Sequence, residues 1–217
     1  MDKNQKSLIS LRYWLQGASY SKASAALELM LSIQKEIRKD GVTPEYIHPI
    51  RVTNFARTLY GNLLYPEDTM IALLLHDVPE DYDFSFDELE KKFGSRAVNA
   101  IRLLTKKYRG ARTPDEQYFK SMIHDPIASI GKACDRIDNQ GDMINVFTLS
   151  GQEHYVNETE QFIIPMLKEA RREHPEQEPA YENLKYVLKS QIGLIRAIRR
   201  AESGEKQYST PKTKKTD

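Results

Sequence analysis

One run of six residues holds the densest group of side chains that could do chemistry. The run, His76-Asp77-Val78-Pro79-Glu80-Asp81, places one imidazole and three carboxylates directly after an apolar segment. A neutral imidazole nitrogen and carboxylate oxygens are good ligands for first-row divalent metals. Carboxylates at the negative C-terminal end of a helix are disfavoured unless a compensating charge is present. The run therefore favours a divalent cation site over a plain polar helix terminus.

Two residues outside this run are candidates for further ligands, because one His-Asp pair supplies only two. His48 precedes the run by enough residues for one helix and a return. Asp135 borders an apolar stripe and shares one helix face with Asn139, four residues later. A half-buried aspartate must be paired or bind a metal. Asp135 is thus either a metal ligand or one half of an ion pair with Lys132 or Arg136.

The length and the apolar pattern indicate a single helical domain that positions these residues. The chain has 217 residues, of which 40% are hydrophobic and 29% charged. Apolar residues recur at spacings of three and four, which is typical of amphipathic helices, and no internal repeat is visible. We expect an all-α domain over residues 1–202. Residues 203–217 contain one large apolar residue, Tyr208, so we expect a flexible polar tail there.

Helix start and stop signals divide the domain further. Ser85-x-x-Glu88 has the form of a capping box, and Gly94 is expected to close the helix that follows it. Asp125-Pro126 has the form of an N-cap followed by an N1 proline. The spacing predicts helices over Ser21 to Arg38, His48 to Tyr60, Arg96 to Lys106, Asp125 to about Phe147, and Tyr181 to Ala201. A further helix is expected to begin at Asp68 and to be stopped by Pro79, and another is expected to begin at Thr113. The helix predicted over Val156 to Arg172 contains Pro165, where we expect a kink.

Composition argues against several classes of protein. The only cysteine, Cys134, permits no internal disulfide or Cys-rich zinc module, which favours a reducing compartment. A net charge of +1 makes a dedicated nucleic-acid binder an unfavoured interpretation. No apolar stretch is long enough for a membrane span, and the first residues lack the pattern of a signal peptide. We therefore expect a cytoplasmic protein.

The order His48, His76-Asp77, Asp135 resembles the ligand pattern of HD-domain metal-dependent phosphohydrolases. The resemblance is closer to one branch, the hydrolase domain of RelA/SpoT proteins and Mesh-type small alarmone hydrolases, and it covers about Ala25 to Met166. It rests on five segments: Arg38-Lys39-Asp40-Gly41, Ile47-His48-Pro49, Leu73-Leu74-Leu75-His76-Asp77-x-x-Glu80-Asp81, Phe93-Gly94, and Lys132-Ala133-Cys134-Asp135-Arg136-x-x-Asn139.

This resemblance implies an HD-domain helical bundle with a role for each matching residue. Glu80 and Asp81 would be the catalytic pair that orients and deprotonates the attacking water. The resemblance implies one divalent ion, Mn²⁺ or Fe²⁺, held by His48, His76, Asp77 and Asp135. It implies substrate contacts from Arg38, Lys39, Lys132 and Asn139.

The implied activity is hydrolysis of a small-molecule nucleotide, ppGpp, with loss of its 3′-pyrophosphate. An HD nucleotidase acting on a deoxynucleoside triphosphate or monophosphate and a regulatory HD protein without turnover are the alternatives. Tyr155 is expected either to pack the last core helix or to touch substrate. The segment from Lys106 to Glu116 has no pattern that identifies the base-recognition loop, so the nucleotide stays open, as does a homo-oligomer.

Overall fold

The computed structural model describes residues 1–82 and 84–203 of the chain. The regular elements of this part of the chain are helices, apart from one short two-stranded hairpin, which confirms the all-α prediction. Its elements are α1 Lys3–Gly17, α2 Ser21–Ile33, α3 Ile47–Arg57, α4 Pro66–Leu75, α5 Val78–Tyr82, α6 Phe86–Phe93, α7 Ser95–Leu104, β1 Lys107–Tyr108, β2 Ala111–Arg112, α8 Asp115–Ser121, α9 Pro126–Asp142, α10 Leu149–Glu158, α11 Ile164–Glu173 and α12 Glu178–Ser203.

Two helices form the centre of the core. Every residue of α4 from Thr69 to Leu75 is buried, because α2, α3, α7 and α9 surround this helix. Burial on all sides explains the unbroken apolar run of α4, because a helix with one solvent-exposed face would carry polar residues on that face. In α9, Ile130, Ala133, Cys134 and Ile137 are buried as predicted. The polar residues beside this stripe are therefore held on a rigid, well-packed helix.

The His-Asp pair lies between two helices. The fourth helix starts at Pro66, two residues before the predicted cap Asp68, because proline fits the first helical position. It ends at Leu75, and a new helix, α5, begins at Val78. The prediction that Pro79 stops the preceding helix is wrong, since Pro79 lies in the first turn of α5, where its missing N–H costs no hydrogen bond.

The predicted extension of the second helix to Arg38 is also wrong. The helix ends at Ile33, and residues 34–46 form a loop in which Ile37 pairs with Pro44 in an isolated antiparallel bridge. Asp40 accepts hydrogen bonds from the backbone N–H groups of Val42 (2.9 Å) and Thr43 (2.8 Å), which makes a tight turn of the segment. Arg38 consequently projects from a loop rather than from a helix.

The cap predictions have mixed outcomes. Asp125 caps α9 as predicted, because its carboxylate accepts from the N–H groups of Ile127 and Ala128. Gly94 closes α6 at a φ of 91°. The capping box at Ser85 is wrong, since this side chain makes no capping hydrogen bond. The predicted helix from Val156 to Arg172 is interrupted by a π-helical turn, Thr159–Ile163, and Pro165 lies in the first turn of α11.

The hairpin occupies the segment in which no sequence pattern was found. Lys107 pairs with Arg112 and Tyr108 with Ala111, and the turn places Arg109 at a φ of 47° and Gly110 at 83°. Two successive positive φ values are typical of the tight turns that join antiparallel strands. The hairpin follows α7 directly, and α5 packs against it.

A single large apolar cluster joins residues from α1 to α12. The predicted boundary after residue 202 lies at the end of α12, and the tail predicted from 203 lies outside the described residues except for Ser203. Within residues 1–82 and 84–203, none of the helices combines the length and apolar character that crossing a bilayer requires.

Candidate metal centre and active-site cleft

A cleft of about 670 Å³ opens between the 34–46 loop, the start of α3, the α4–α5 junction, the base of the hairpin and α9. All of the site residues predicted from the sequence line it: Arg38, Lys39, His48, His76, Asp77, Glu80, Asp81, Lys132, Asp135 and Asn139. Residues up to 101 positions apart in sequence therefore meet in one place, as the Arg38–Asn139 contact illustrates.

Four of these side chains converge on one point. His48 Nε2 lies 3.2 Å from Asp135 Oδ1 and 3.8 Å from Asp77 Oδ2. His76 Nε2 lies 3.2 Å from Asp77 Oδ1 and 3.8 Å from Asp135 Oδ1. Neighbouring ligands of an octahedral ion with bonds of about 2.1 Å are about 3 Å apart. His48, His76 and Asp77 thus form a group that could hold a metal ion, with Asp135 beside them.

Hydrogen bonds turn both histidine rings toward this point. Nδ1 of His48 donates to Asp138 (2.7 Å), and Nδ1 of His76 donates to the carbonyl of Leu73 (2.8 Å). Such bonds fix the ring orientation and leave Nε2 as the free ligand atom. Nε2 of His76 is buried and makes no hydrogen bond with the described residues. The donor set therefore fits a divalent cation.

The electrostatics of these four side chains also favour a bound cation. Burial lowers the pKa of His48, but hydrogen bonds to Asp135 and Asp138 and the charge of Asp77 outweigh it and raise the pKa to about 9. The pKa of Asp135 is well below its usual range, because Lys132 and the two histidines offset its burial. The surrounding carboxylates therefore favour a positive charge at this point. A divalent ion would supply that positive charge.

The two acids on α5 have different environments. Glu80 accepts hydrogen bonds from the backbone N–H groups of Lys106 (2.9 Å) and Lys107 (3.3 Å), so the base of the hairpin holds it. Asp81 lines the cleft, where partial desolvation and the charges of Asp77, Glu80 and Glu45 raise its pKa to about 6. A carboxylate with a raised pKa is a better proton acceptor near neutral pH.

The basic and amide residues that line the cleft contact one another, an aromatic ring or a carboxylate. Arg38 donates to Asn139 Oδ1 (3.3 Å), and Nζ of Lys39 lies 5.8 Å from the ring centre of Phe147. Nζ of Lys132 contacts Asp135 Oδ2 (2.9 Å), while Oδ1 of Asp135 faces the histidines. The ion pair and the ligand role, which were alternatives for Asp135 in the sequence, are therefore compatible.

Sequence reasoning missed the residues that support this group from behind. Arg51 donates from Nε to Asp138 (2.8 Å) and from Nη2 to Asp142, and Asp138 in turn orients His48. The spacing of Asp135, Asp138 and Asp142 by three and four residues on one helix face was the available signal. It marks an acidic ridge along α9 that needs cationic partners.

A second missed cluster lies at the hairpin side of the cleft. Arg136 pairs with Glu158, and both are buried. Lys106 Nζ also contacts Glu158 (3.0 Å). Tyr155 lines the cleft and packs against Phe147, with the Arg136 guanidinium 4.2 Å from its ring centre. Both interpretations of Tyr155 are therefore compatible with its position.

Comparison with curated proteins gives relatives named as ppGpp hydrolases and others named as GTP pyrophosphokinases. A guanosine-3′,5′-bis(diphosphate) 3′-pyrophosphohydrolase of Aquifex aeolicus is 34% identical over 109 residues, 47% of this chain and 15% of the relative. The enzyme of that name from Drosophila melanogaster, MESH1, is 31% identical over 116 residues, 51% of this chain and 62% of the relative. The chain thus spans only part of these relatives. No family model matches it.

Comparison with solved structures shows the fold. The structure described as a metazoan ortholog of SpoT that hydrolyzes ppGpp superposes with a TM-score of 0.59 at 21% identity, covering 76% of this chain and 93% of the other. The relationship that the motifs predict is therefore confirmed: the chain is related to the RelA/SpoT hydrolases and to the Mesh-type hydrolases, with their all-α HD-domain fold.

Proposed function

We propose that this chain is a metal-dependent ppGpp 3′-pyrophosphohydrolase that acts in the cytoplasm, with residues 1–202 as one domain. The observation that carries the proposal is the convergence of His48, His76, Asp77 and Asp135 in a cleft that also holds two acids and several cationic side chains. The hydrolysis of ppGpp named for the relatives supports the choice of substrate.

The proposed metal ligands are Nε2 of His48 and His76 and the carboxylates of Asp77 and Asp135. A mixed set of imidazoles and carboxylates suits Mn²⁺ or Fe²⁺, since Mg²⁺ favours oxygen ligands and zinc sites favour nitrogen and sulfur. A bound divalent ion would polarise a phosphoryl oxygen and lower the pKa of a bound water. Asp138 and the carbonyl of Leu73 hold the two imidazoles in the required orientation.

The proposed reaction gives a role to each of the remaining predicted side chains. In the proposed step, water attacks the phosphorus joined to the 3′ oxygen, that P–O bond breaks, and the products are GDP and pyrophosphate. Asp81, whose pKa is raised to about 6, accepts the proton of the water, and Glu80 orients it. The 3′ oxygen leaves with a proton as the ribose hydroxyl. Arg38, Lys39 and Lys132 offset phosphate charge, and Asn139 contacts the ribose.

The test is a metal-dependent hydrolysis assay on the purified full chain. After chelation and dialysis, we expect GDP and pyrophosphate from ppGpp only when Mn²⁺ is restored. The same assay is run with deoxynucleoside triphosphates and monophosphates. Turnover of those nucleotides without turnover of ppGpp would identify an HD nucleotidase. Tight binding of ppGpp without any turnover would identify a regulatory protein, and either result would contradict the proposal.

A further inference from the structure

Backbone hydrogen bonds close the 34–46 loop on itself. The N–H of Arg38 donates to the carbonyl of Thr43 (2.8 Å), and the N–H of Glu45 donates to the carbonyl of Glu36 (2.9 Å). Together with the isolated bridge described above, these bonds pair the two halves of the loop. We therefore expect the loop to move as one unit, so that its contacts with neighbouring elements set its position over the cleft.

On the α9 side, the loop is held by the same groups that the proposed substrate needs. Arg38 donates to Asn139 (3.3 Å) and lies 3.7 Å from Asp142. Nζ of Lys39 lies 5.8 Å from the ring centre of Phe147. A phosphate that binds Arg38 and Lys39 competes with these contacts. The loop therefore needs another contact, one that the phosphates do not displace.

On the α5 side, such a contact joins the loop to the helix of the two acids. The hydroxyl of Tyr82 donates to Oε2 of Glu45, near the C-terminal end of the loop. Partial burial and the Glu45 carboxylate raise the pKa of Tyr82 well above its usual range, so the hydroxyl keeps its proton and stays a donor. Tyr82 directly follows Asp81 in the chain, and Glu45 lies three residues before His48. The hydrogen bond therefore fixes the loop relative to the residues of the proposed chemistry.

The charge of Glu45 supports a structural role for this side chain. Glu45 lines the cleft beside the acids of α5, where a further carboxylate repels a polyanionic nucleotide. Its charge alone would weaken substrate binding. Its hydrogen bond to Tyr82, in contrast, places two cationic side chains of the same loop, Arg38 and Lys39. This contact gives a reason for a carboxylate that electrostatics alone disfavours.

We infer that Tyr82 is a positioning residue, whose hydrogen bond to Glu45 holds the 34–46 loop so that Arg38 and Lys39 meet the phosphates of the substrate. The inference rests on the proposed function, because that function gives the loop a polyphosphate to bind. Tyr82 acts through the loop and has no part in the proposed proton transfers. Loss of the hydrogen bond should weaken substrate and transition-state binding alike, which raises KM and leaves kcat nearly constant.

Trypsin tests the position of the loop without any turnover, because Lys35, Arg38 and Lys39 are cleavage sites within it. Tyr82→Phe removes the hydroxyl and keeps the ring. We expect cleavage after these three residues of the full chain to become about tenfold faster, since a hydrogen bond to a carboxylate stabilises the held loop and cleavage follows the open population. Glu45→Gln keeps an acceptor oxygen and should retain the protection, whereas Glu45→Ala should lose it.

Two comparisons separate this contact from a general loss of stability. The double variant Tyr82→Phe/Glu45→Ala should be cleaved in the loop no faster than either single variant, because both remove the same hydrogen bond. Tyr186→Phe, at an exposed tyrosine of α12, is the matched control for loss of a hydroxyl. Mass spectrometry identifies the cleaved bonds, and cleavage at sites outside the loop should keep its wild-type rate.

Steady-state kinetics with saturating Mn²⁺ tests the effect on the substrate. Tyr82→Phe should raise KM for ppGpp at least fivefold, with kcat within about twofold of wild type and unchanged metal content. Wild-type cleavage rates in the loop of Tyr82→Phe would overturn the inference. Faster cleavage with an unchanged KM would overturn it as well, because the loop would then be held without serving the substrate.

A failure of the proposed function would be recognised separately, as a wild-type chain that does not hydrolyse ppGpp. The affinity for inorganic pyrophosphate, measured by calorimetry with Mn²⁺, then takes the place of KM. A loss of affinity of at least fivefold in Tyr82→Phe, together with faster cleavage of the loop, would still support the positioning role. An unchanged affinity would overturn it.

Discussion

The two walls of the cleft differ in how they hold their side chains. The helical wall, made by α3, α4 and α9, holds His48, His76 and Asp135, each at most 7% exposed. The loop wall, made by residues 34–46 and the hairpin, carries Arg38, Lys39 and Lys106 on short connections. Glu80 joins the two walls, because it leaves a helix and is held by backbone N–H groups at the base of the hairpin.

This difference matches the demands of the proposed chemistry. Metal ligands must keep their spacing to within a fraction of an ångström, which buried helices ensure. Charged groups that receive a flexible polyphosphate gain from adaptable segments, and loops supply them. We therefore expect substitutions in the helical wall to abolish function, whereas changes in the loop wall should reduce the rate in steps.

The largest expected effect comes from removing a ligand in the helical wall. His48→Ala or Asp77→Ala should abolish uptake of Mn²⁺ and lower ppGpp hydrolysis by at least about 10³-fold, because the ion contributes several kcal/mol to the transition state. Metal content and activity are measured on the same preparations. His124→Ala, which changes an exposed histidine paired with Glu173, is the control. Full metal content in both variants would rule out this assignment of the ligands.

The second largest effect is expected from the two acids of α5, Glu80 and Asp81. Glu80→Gln and Asp81→Asn keep the shape and leave the four proposed metal ligands intact. We expect each to lower kcat by about 10²- to 10⁴-fold with little change in metal content, as is typical of losing a general base. Steady-state kinetics with saturating Mn²⁺ gives the answer. Rates within a few-fold of wild type in both variants would remove these acids from the mechanism.

A third experiment addresses the buried pair behind the hairpin. Lys106 and Arg136 outweigh burial and lower the pKa of Glu158 to about 2, from an ordinary value of 4.5. The stabilisation is therefore fully present above about pH 4.5 and is lost as the pH falls toward 2. Glu158→Gln should lower the free energy of unfolding by about 3 kcal/mol at pH 7.

Urea unfolding across this pH range tests the expectation. The difference between wild type and Glu158→Gln should shrink as the pH falls from 4.5 toward 2. Glu169→Gln is the control, because its ion pair with Arg172 is exposed and should contribute less than about 1 kcal/mol. A difference that does not vary with pH would show that packing, rather than charge, stabilises this cluster.

The smallest effect is expected in the hairpin itself. Gly110 has a φ of 83°, which residues with a side chain adopt at a cost of about 1–2 kcal/mol. Gly110→Ala should strain the turn, loosen the N–H contacts to Glu80 and lower kcat about fivefold without changing metal content. Gly193→Ala, at a helical glycine with open space around it, is the matched control. A wild-type rate would show that Glu80 needs no support from the hairpin.

Most of the helical wall could be predicted from the sequence, because its signals are local. The residue types at His76-Asp77 and the i, i+4 spacing of Asp135 and Asn139 are visible without tertiary information. The loop wall could not be predicted in this way. The bridge from Ile37 to Pro44 ends a helix whose spacing continues to Arg38, because pairing within the loop outweighs helix propensity there.

The hydrogen bonds that hold the predicted site residues in place could not be predicted from the sequence either. That Glu80 binds backbone N–H groups 26 residues away depends on where the hairpin folds back, and backbone donors leave no mark in a side-chain pattern. The contact of Arg51 with Asp138 joins residues 87 positions apart. Nothing near Arg51 distinguishes it from an ordinary surface arginine, so only the packing of α3 on α9 brings it to the site.

The π-helical turn between α10 and α11 has a consequence for sequence length. Each residue of an α-helix turns the next by about 100°, and a π-turn accommodates one extra residue without advancing that rotation. Glu158 lies before Thr159–Ile163 and faces Arg136, whereas Leu167 and Ala170 lie after it and face the core. Deleting one residue within the turn should therefore restore a regular helix and leave both faces in place, whereas deleting one residue elsewhere in α10 or α11 would rotate the two faces apart by about 100°.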